Sequence, residues 1–306
     1  MLRTDRRRTV VVTTGVGVLV IIAAAVVGSH LAGTGPSASV ATTRPTHPAS
    51  PPKAAAPAAA PGKATRSVPA WASGAAAVPP TSDPQLLAGR VVVLDPGHDG
   101  GNASAPATID QPVWNGREME ACDTTGTETD AGYLESRFNF AVTALARADL
   151  EAEGATVILT RSNDTGVGPC ITQRTAIGNQ AHADAVVSIH ADGGPASGRG
   201  YALLLPVDDG VNAGVVGSST ALGIDLRNAF LPATGMPVSD YDGIYGLQSR
   251  DDLAGVNLTT VPKVFIECGN MRNATDAALL TDPTWQARAA QGIADGIKVF
   301  LTSPRG

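Results

Sequence analysis

From about residue 86 onward, short runs of consecutive apolar residues alternate with longer stretches in which apolar residues recur every three or four positions. The first pattern is typical of buried strands and the second of amphipathic helices. The predicted strands are 89–94, 155–159, 184–190, 200–206 and 263–268, and the predicted helices are 134–150, 172–183, 213–231, a short helix capped by Asn273 and a last helix from Pro283 to about Leu301. This alternation predicts an α/β fold, a mostly parallel twisted sheet with helices on both faces.

Two polar stretches interrupt the alternation. Residues 101–132 contain several Gly, Thr and Asp and predict a long loop, which in a compact domain is usually functional or disordered. Residues 232–262 are rich in Gly, Asp and Asn and predict a loop-rich stretch with one short strand. Neither stretch suggests a second folded domain, and the chain has no internal repeat.

The N-terminal segment 1–28 has the composition of an export signal. Its first eight residues include four arginines, and an uncharged stretch of apolar or small residues follows from Thr9 to Gly28. As a helix that stretch would extend about 30 Å, the hydrocarbon thickness of a bilayer. Two interpretations remain open, an uncleaved membrane anchor and a cleaved signal peptide. Both predict export to the cell envelope, either membrane-anchored and facing outward or secreted to the periplasm or cell wall.

Residues 29–85 are rich in Ala, Pro, Ser, Thr and Gly. Such a segment cannot bury enough apolar surface to offset the entropy lost on ordering, so it predicts a disordered tether. The remaining residues, 86–306, are long enough for one domain with a substantial core. The formal net charge is −6, and the acidic excess lies in this domain because the first 85 residues carry more Lys and Arg than Asp and Glu. An acidic domain without a basic stripe argues against nucleic acid as a partner.

The three cysteines are Cys122, Cys170 and Cys268. Cys122 lies in the polar stretch and Cys170 follows a Gly-Pro pair, so both are expected to be exposed enough to meet. An exported location permits a Cys122–Cys170 disulfide, which would stabilise the fold by roughly 4 kcal/mol in the chain-entropy model. The alternative is two reduced thiols. Cys268 ends an apolar strand and is predicted to be a buried thiol.

Four acid–base or metal-binding side chains accompany the predicted strands and helices. His98 follows the first strand, Glu135 stands at the start of the first helix, His190 ends the third strand and Glu267 lies in the last strand. Ligands of parallel α/β sheets bind beyond the carboxyl ends of the strands, so these side chains could converge on one rim. Two His and one Glu leave a zinc ion one open position, and a second Glu could act as proton shuttle. The set predicts metal-assisted hydrolysis.

Each of these side chains also has a structural explanation. A lone His after a strand is more often a hydrogen-bonded turn residue, and a Glu in the first helical turn is a favourable cap. Glu267 differs, because a carboxylate within an apolar run is costly unless it is paired or near a metal. Asp95 is expected to orient His98 or to close the turn, and Arg161 and Arg174 are expected to be structural ion-pair partners.

The order of these motifs resembles the zinc-dependent N-acetylmuramoyl-L-alanine amidases of the third amidase type. The matching stretches are 93–101, 135–139, 159–161, 174–179, 183–192 and 261–270, with Asn273 and Asp276 behind the last one. Together they span most of residues 89–300. The resemblance implies that residues 86–306 form a single catalytic domain, in which His98, Glu135 and His190 bind Zn²⁺ and Glu267 is the catalytic carboxylate.

The resemblance also implies the reaction. The substrate would be peptidoglycan or a muropeptide, cleaved at the amide between N-acetylmuramic acid and L-alanine, with Glu267 taking the proton of the attacking water. The chain departs from the family in the long loop between His98 and Glu135, which carries Cys122, and in Gly269-Asn270-Met271, where a larger apolar residue is common after the Gly. No wall-binding repeat is present, so the tether would replace a targeting module. The sequence does not identify a regulatory partner.

Two other functions remain open at this point. A zinc carboxypeptidase or related amidohydrolase would share the same ligands, and only its products would distinguish it. A non-catalytic cell-wall-binding protein is the alternative from another class. That alternative would not require all four reactive side chains, and it predicts a domain that does not bind zinc.

Overall fold

The computed structural model describes residues 85–304. The predicted export segment 1–28 and nearly all of the predicted tether 29–85 lie outside those residues. Within the described part of the chain, no helix combines the length and the apolar character needed to cross a membrane.

The described residues form eight strands and seven α-helices, with two short 3₁₀ turns at Asn102–Ser104 and Ala213–Val215. The strands are β1 (Val91–Pro96), β2 (Pro112–Trp114), β3 (Met119–Ala121), β4 (Thr156–Leu159), β5 (Ala185–Asp192), β6 (Ala202–Pro206), β7 (Leu247–Arg250) and β8 (Lys263–Asn270). The helices are α1 (Pro106–Ile109), α2 (Glu135–Ala152), α3 (Ile171–Gln180), α4 (Val216–Thr234), α5 (Ala254–Asn257), α6 (Ala274–Leu280) and α7 (Pro283–Thr302).

Six of the strands form one sheet in the order β4-β1-β5-β8-β6-β7. Neighbouring strands are parallel except β6 and β8, which pair antiparallel. The predicted α/β class and the mostly parallel sheet are therefore confirmed. Strands β2 and β3 pair only with each other and form a separate hairpin.

Helices cover both faces of the sheet. Successive residues of a strand point to opposite sides, and the apolar side chains on each side are buried against helices. Val92 and Leu94 of β1 belong to a large core cluster that also contains residues of α2, α4 and α7. Val93, between them, belongs to a smaller cluster on the other face, to which Ile177 of α3 contributes. Buried runs such as β1 and β5 are apolar on both faces for this reason.

The predicted elements are close to the observed ones, and most differences fall at their ends. Helix α3 ends at Gln180 rather than residue 183, and His182 beyond it has a left-handed φ of 46°. The predicted loop 101–132 contains a 3₁₀ turn, α1 and the β2–β3 hairpin, and the stretch 232–262 adds α5 to its one predicted strand. These extra elements are only three or four residues long, so they carry no hydrophobic period that a sequence pattern could reveal.

The predicted Cys122–Cys170 disulfide is present and joins the segment after β3 to the start of α3. Cys122 is only 1% exposed, contrary to the expectation that it lies at the surface, because the segment after the hairpin packs into the domain. Cys268 is a buried free thiol, as predicted.

Candidate active site

His98 lies two residues beyond the end of β1, with a left-handed backbone φ of 56°. That conformation costs a non-glycine residue about 1–3 kcal/mol, so the surroundings must hold it. Arg174 does so by donating from Nη2 to the His98 carbonyl oxygen at 2.9 Å. A Cβ at Gly97 would overlap the ring of His190. The glycine thus allows the two imidazoles to approach, with ring centroids 5.0 Å apart.

Glu135 is the first residue of α2 and is 4% exposed. Its Oε1 lies 2.9 Å from Nδ1 of His190, and its Oε2 lies 3.4 Å from Nε2 of His98. The backbone N–H of Thr127 donates to Oε2 at 2.9 Å, and Asn139, one helical turn further on, donates to Oε1 at 3.3 Å. The carboxylate is therefore fixed between the two rings.

His190 and Glu267 stand side by side in the sheet. The parallel register of β5 and β8 pairs the two residues directly, one strand apart. The ring of His190 also stacks on Phe265, two positions before Glu267, with centroids 5.3 Å apart and planes inclined by 25°. Both residues lie near the carboxyl ends of their strands, where the sequence pattern predicted a site.

Three of the predicted site residues come together around one point. The candidate ligand atoms of His98, Glu135 and His190 all lie within 4.8 Å of one another, and among residues 85–304 this is the one such group that could hold a metal ion. Two imidazoles and a carboxylate are a donor set that suits zinc. Gly126 packs against Glu135 and His98 with a backbone φ of 72°. A Cβ at this position would come within 2.8 Å of both Glu135 Oε2 and the His98 ring. The residues present therefore fit a divalent metal ion.

The electrostatics of this group also favour a cation. Burial alone would lower the pKa of His98, but the negative charge of Glu135 and the hydrogen bond to Asp123 raise that pKa to about 10. Burial alone would raise the pKa of Glu135, but the two neighbouring imidazoles hold it well below its usual range. A metal ion would take the place of the protons that join these side chains, since ligands bind metals in their deprotonated forms.

Asp123 was not predicted, and it has the role that was predicted for Asp95. Its Oδ1 lies 3.1 Å from Nδ1 of His98, so the ring presents Nε2 to Glu135. The backbone N–H of Thr124 donates to the same carboxylate oxygen at 2.7 Å. The one sequence signal for Asp123 is its position directly after a disulfide-bonded cysteine, which fixes its backbone.

Asp95 does not contact His98, contrary to the expectation that it orients this ring or closes the turn. It is buried beneath the site, where Arg174 Nη1 donates to its Oδ1 at 3.0 Å and Thr160 donates to the same oxygen at 2.6 Å. Ser188 donates to Oδ2, and Lys263 Nζ lies 3.7 Å from that oxygen. Burial would raise the pKa of Asp95, but the two cations outweigh it and hold the pKa below its usual range.

The predicted ion-pair roles of Arg161 and Arg174 are confirmed, and both residues also bind backbone carbonyl groups. Arg174 pairs with Asp95 and Asp123 and is 3% exposed. Arg161 pairs with Asp164 and donates to carbonyl oxygens, including that of Gly97 at 3.2 Å. The two guanidinium groups thus hold the turn that carries His98.

Glu267 differs from the ligand group because its carboxylate has few partners. Its Oε2 is buried and has no hydrogen-bond partner among the described residues. Burial, together with the negative charges of Glu135 and Asp192, raises the pKa of Glu267 well above its usual range. The side chain shares a cavity of about 280 Å³ with His98 and His190. A buried acid of this kind can exchange a proton with a molecule that enters the cavity.

Two imidazoles and a carboxylate around one point, with a second carboxylate in the same cavity, are an arrangement typical of metal-dependent hydrolases. Residues 92–299 match the N-acetylmuramoyl-L-alanine amidase family. The chain is 38% identical over 224 residues to an N-acetylmuramoyl-L-alanine amidase of Mycobacterium tuberculosis, a match that covers 73% of this chain and 91% of that protein. The chain therefore belongs to the N-acetylmuramoyl-L-alanine amidase family.

Solved structures agree with this assignment. The crystal structure of the N-acetylmuramyl-L-alanine amidase Ami1 from Mycobacterium smegmatis has 42% sequence identity and a TM-score of 0.67, covering 70% of this chain and 98% of that one. The crystal structure of the apo form of Ami1 from Mycobacterium abscessus has 40% sequence identity and a TM-score of 0.65, covering 70% of this chain and 100% of that one. The predicted family, enzyme class and amidase activity are thereby confirmed.

Proposed function

We propose that the protein cleaves the amide between N-acetylmuramic acid and L-alanine in peptidoglycan with a zinc ion held by His98, Glu135 and His190. Membership of the amidase family supports the reaction, and the close approach of the three ligand atoms supports the ion. The observation that carries the role of Glu267 is its buried, unpartnered carboxylate oxygen in the same cavity as the two imidazoles.

Each residue has a distinct task in this proposal. The chemistry that zinc supplies at such a site is Lewis acidity, which lowers the pKa of a water ligand towards 7 and polarises a carbonyl oxygen. Glu267 accepts the proton of the attacking water on Oε2 and delivers it to the leaving nitrogen of L-alanine. Burial and the charges of Glu135 and Asp192 raise the pKa of Glu267, which makes its ionised carboxylate a stronger proton acceptor. Asp123 keeps Nδ1 of His98 occupied, so that Nε2 is the nitrogen available to the metal.

The proposal extends to the rest of the chain. Segment 1–28 would export the protein, as an anchor or a cleaved signal peptide, and 29–85 would tether the catalytic domain 86–306 at the cell envelope. The basic start and the uncharged stretch that follows support export, and family membership supports a wall substrate. Protease protection and N-terminal sequencing of the protein in cells would distinguish the anchor from the signal peptide.

Product analysis tests the reaction directly. Purified peptidoglycan treated with the protein should release peptides with N-terminal L-alanine and leave glycan with free lactyl carboxyl groups, both identified by mass spectrometry. Release of C-terminal amino acids instead would favour the carboxypeptidase. A protein that neither binds zinc nor releases any product would favour the wall-binding alternative.

The role of Glu267 has its own test. Glu267→Ala should reduce turnover by about 10²–10⁴-fold while bound zinc, measured by elemental analysis, stays near one ion per chain. Asp242→Asn is the matched control, because Asp242 also contributes negative charge at Glu267 but does not line the cavity. That control should keep most of the turnover. Unchanged peptide release by Glu267→Ala would remove Glu267 from the mechanism.

A further inference from the structure

The β2–β3 hairpin exposes a large apolar pair beside the active-site cavity. Trp114 is 52% exposed and Met119 is 57% exposed, and the antiparallel register places them directly opposite each other. Cross-strand partners share one face of a hairpin, so the indole and the thioether form one surface. The same register pairs Pro112 with Ala121, which lies on this face and lines the cavity that contains Glu267. We call the side chains of Trp114 and Met119 the hairpin platform.

The turn of the hairpin is held firmly against the domain. Asn115 is 1% exposed and donates from Nδ2 to the carbonyl oxygen of Asp252 at 3.2 Å. Its Oδ1 accepts from the backbone N–H of Arg117 at 2.9 Å, which closes the turn. A Cβ at Gly116 would come within 2.7 Å of Asp209 Oδ2, which shows how closely the backbone of the turn approaches the domain.

The base of the hairpin is held as well. Glu120 accepts from the backbone N–H of Ala254 at 3.2 Å, and the Cys122–Cys170 disulfide follows β3 directly. A hairpin with both ends attached presents its apolar pair in a fixed position. A large aromatic side chain held in water at a fixed place beside an active site is a frequent sign of a binding surface.

We infer that the hairpin platform binds a sugar ring of the glycan strand. The inference rests on the proposed function, because the scissile amide joins a sugar to a peptide and one side of the cavity must therefore accept glycan. The C–H groups on one face of a pyranose ring form an apolar surface that stacks on an indole. Stacking on Trp114 would remove apolar surface from water on both partners.

Charge favours a neutral sugar over other occupants. Three carboxylates, those of Glu120, Asp123 and Glu267, line the cavity with one guanidinium group, that of Arg250, which is paired with Asp252. An anionic partner such as an acidic peptide or a phosphate polymer would meet like charge there. N-acetylated amino sugars carry no charge apart from the lactyl carboxyl group, which the amide bond neutralises in the substrate.

Peptide-free glycan tests the platform separately from the reaction. Glycan chains from which all stem peptides have been removed, and whose free lactyl carboxyl groups have been converted to methyl esters, are uncharged and contain no scissile amide, so their binding does not depend on turnover. Titration calorimetry of the full chain with such glycan should show binding, and Trp114→Ala should weaken it about tenfold or more. Trp114→Phe keeps an aromatic face and should recover most of the affinity.

Tyr245→Ala is the matched control. Tyr245 is 80% exposed and lines a separate cavity with Tyr201 and Leu231, so its loss should leave glycan affinity unchanged. Failure of the full chain to bind peptide-free glycan, or equal binding by Trp114→Ala, would overturn the inference. So would a Trp114→Ala variant that loses self-association or affinity for sugar-free stem peptide while retaining glycan affinity. Release of stem peptides from intact peptidoglycan reports on the proposed function separately.

Discussion

A carboxylate oxygen of Asp123 lies 3.1 Å from Nδ1 of His98, on the ring nitrogen that does not face Glu135. The hydrogen bond decides which nitrogen of His98 is free to bind a metal, and it fixes the plane of the ring. Asp123 is itself held by Arg174, whose Nη2 lies 3.1 Å from its other carboxylate oxygen. The orientation of His98, a candidate ligand, thus depends on Asp123, which lies in the loop between β3 and α2.

Asp123→Asn should therefore weaken zinc binding about 10–100-fold, the usual effect of removing such a partner of a ligating histidine. The amide keeps the size of the side chain but removes the negative charge that makes the imidazole of His98 a stronger ligand for zinc. Competition with a chromophoric chelator would measure the affinity. Asp110→Asn, a substitution at an exposed position, serves as the control and should bind zinc normally. Equal affinities of the two variants would show that Asp123 does not support the ligand.

Gly126→Ala should abolish tight zinc binding. Its Cβ would come within 2.8 Å of Glu135 Oε2 and of the His98 ring, so the ligands would have to move apart. Gly210→Ala is a matched control, because Gly210 has a similar φ of 78° and nothing lies within 4 Å of its Cβ position. Both variants should lose about 1–2 kcal/mol of stability from the left-handed backbone, and only Gly126→Ala should lose zinc. Chelator competition and chemical denaturation separate the two effects.

Reduction of the Cys122–Cys170 disulfide should lower the free energy of unfolding by about 4 kcal/mol, because the bond closes a loop of 48 residues in the unfolded chain. It should also weaken zinc binding, since Asp123 would lose its covalently fixed neighbour. Thiol titration in denaturant should detect one thiol, Cys268, before reduction and three afterwards. Three thiols in the unreduced protein would contradict the presence of the bond in solution.

Glu267→Gln should stabilise the metal-free protein at neutral pH. The folded-state pKa of Glu267 lies above the unfolded value near 4.5, so the unfolded chain ionises first as the pH rises. Stability that is fully present below pH 4.5 is therefore lost as the pH rises through the folded-state pKa, and glutamine does not titrate. Urea denaturation at pH 4 and pH 7.5 should show similar stabilities at the lower pH and a more stable variant at the higher pH. A pH-independent difference between the two proteins would contradict the raised pKa.

The sequence was sufficient to predict the main sheet and the grouping of His98, Glu135, His190 and Glu267 at one place in the fold. Strands such as β1 and β5 are buried on both faces, so their apolar runs are continuous and easily recognised. His98, His190 and Glu267 follow or end such runs, and the topology of a parallel sheet brings those ends to one edge. The continuous apolar runs therefore predict correctly that these three residues lie at the same edge of the sheet.

The sequence was not sufficient where short or irregular segments decide the geometry. The β2–β3 hairpin has strands of three residues and leaves Trp114 exposed, so no apolar alternation marks it. Asp95 was assigned to His98 because it is a neighbour along the chain, whereas the residue that contacts the ring is Asp123, 25 positions away. The contact between Asp123 and His98 depends on how the loop that carries Asp123 packs against the sheet. The residues next to His98 in the sequence give no information about that packing.

The register that pairs His190 with Glu267 has a consequence for how the enzyme is assembled. All three candidate ligands precede residue 191, whereas Glu267, the proposed catalytic acid, belongs to a strand that is synthesised more than seventy residues later. A chain truncated between them would still contain every candidate ligand, but β5 would have lost its β8 neighbour and Glu267 would be absent. On the proposed mechanism, hydrolysis therefore requires the sheet to be complete through β8.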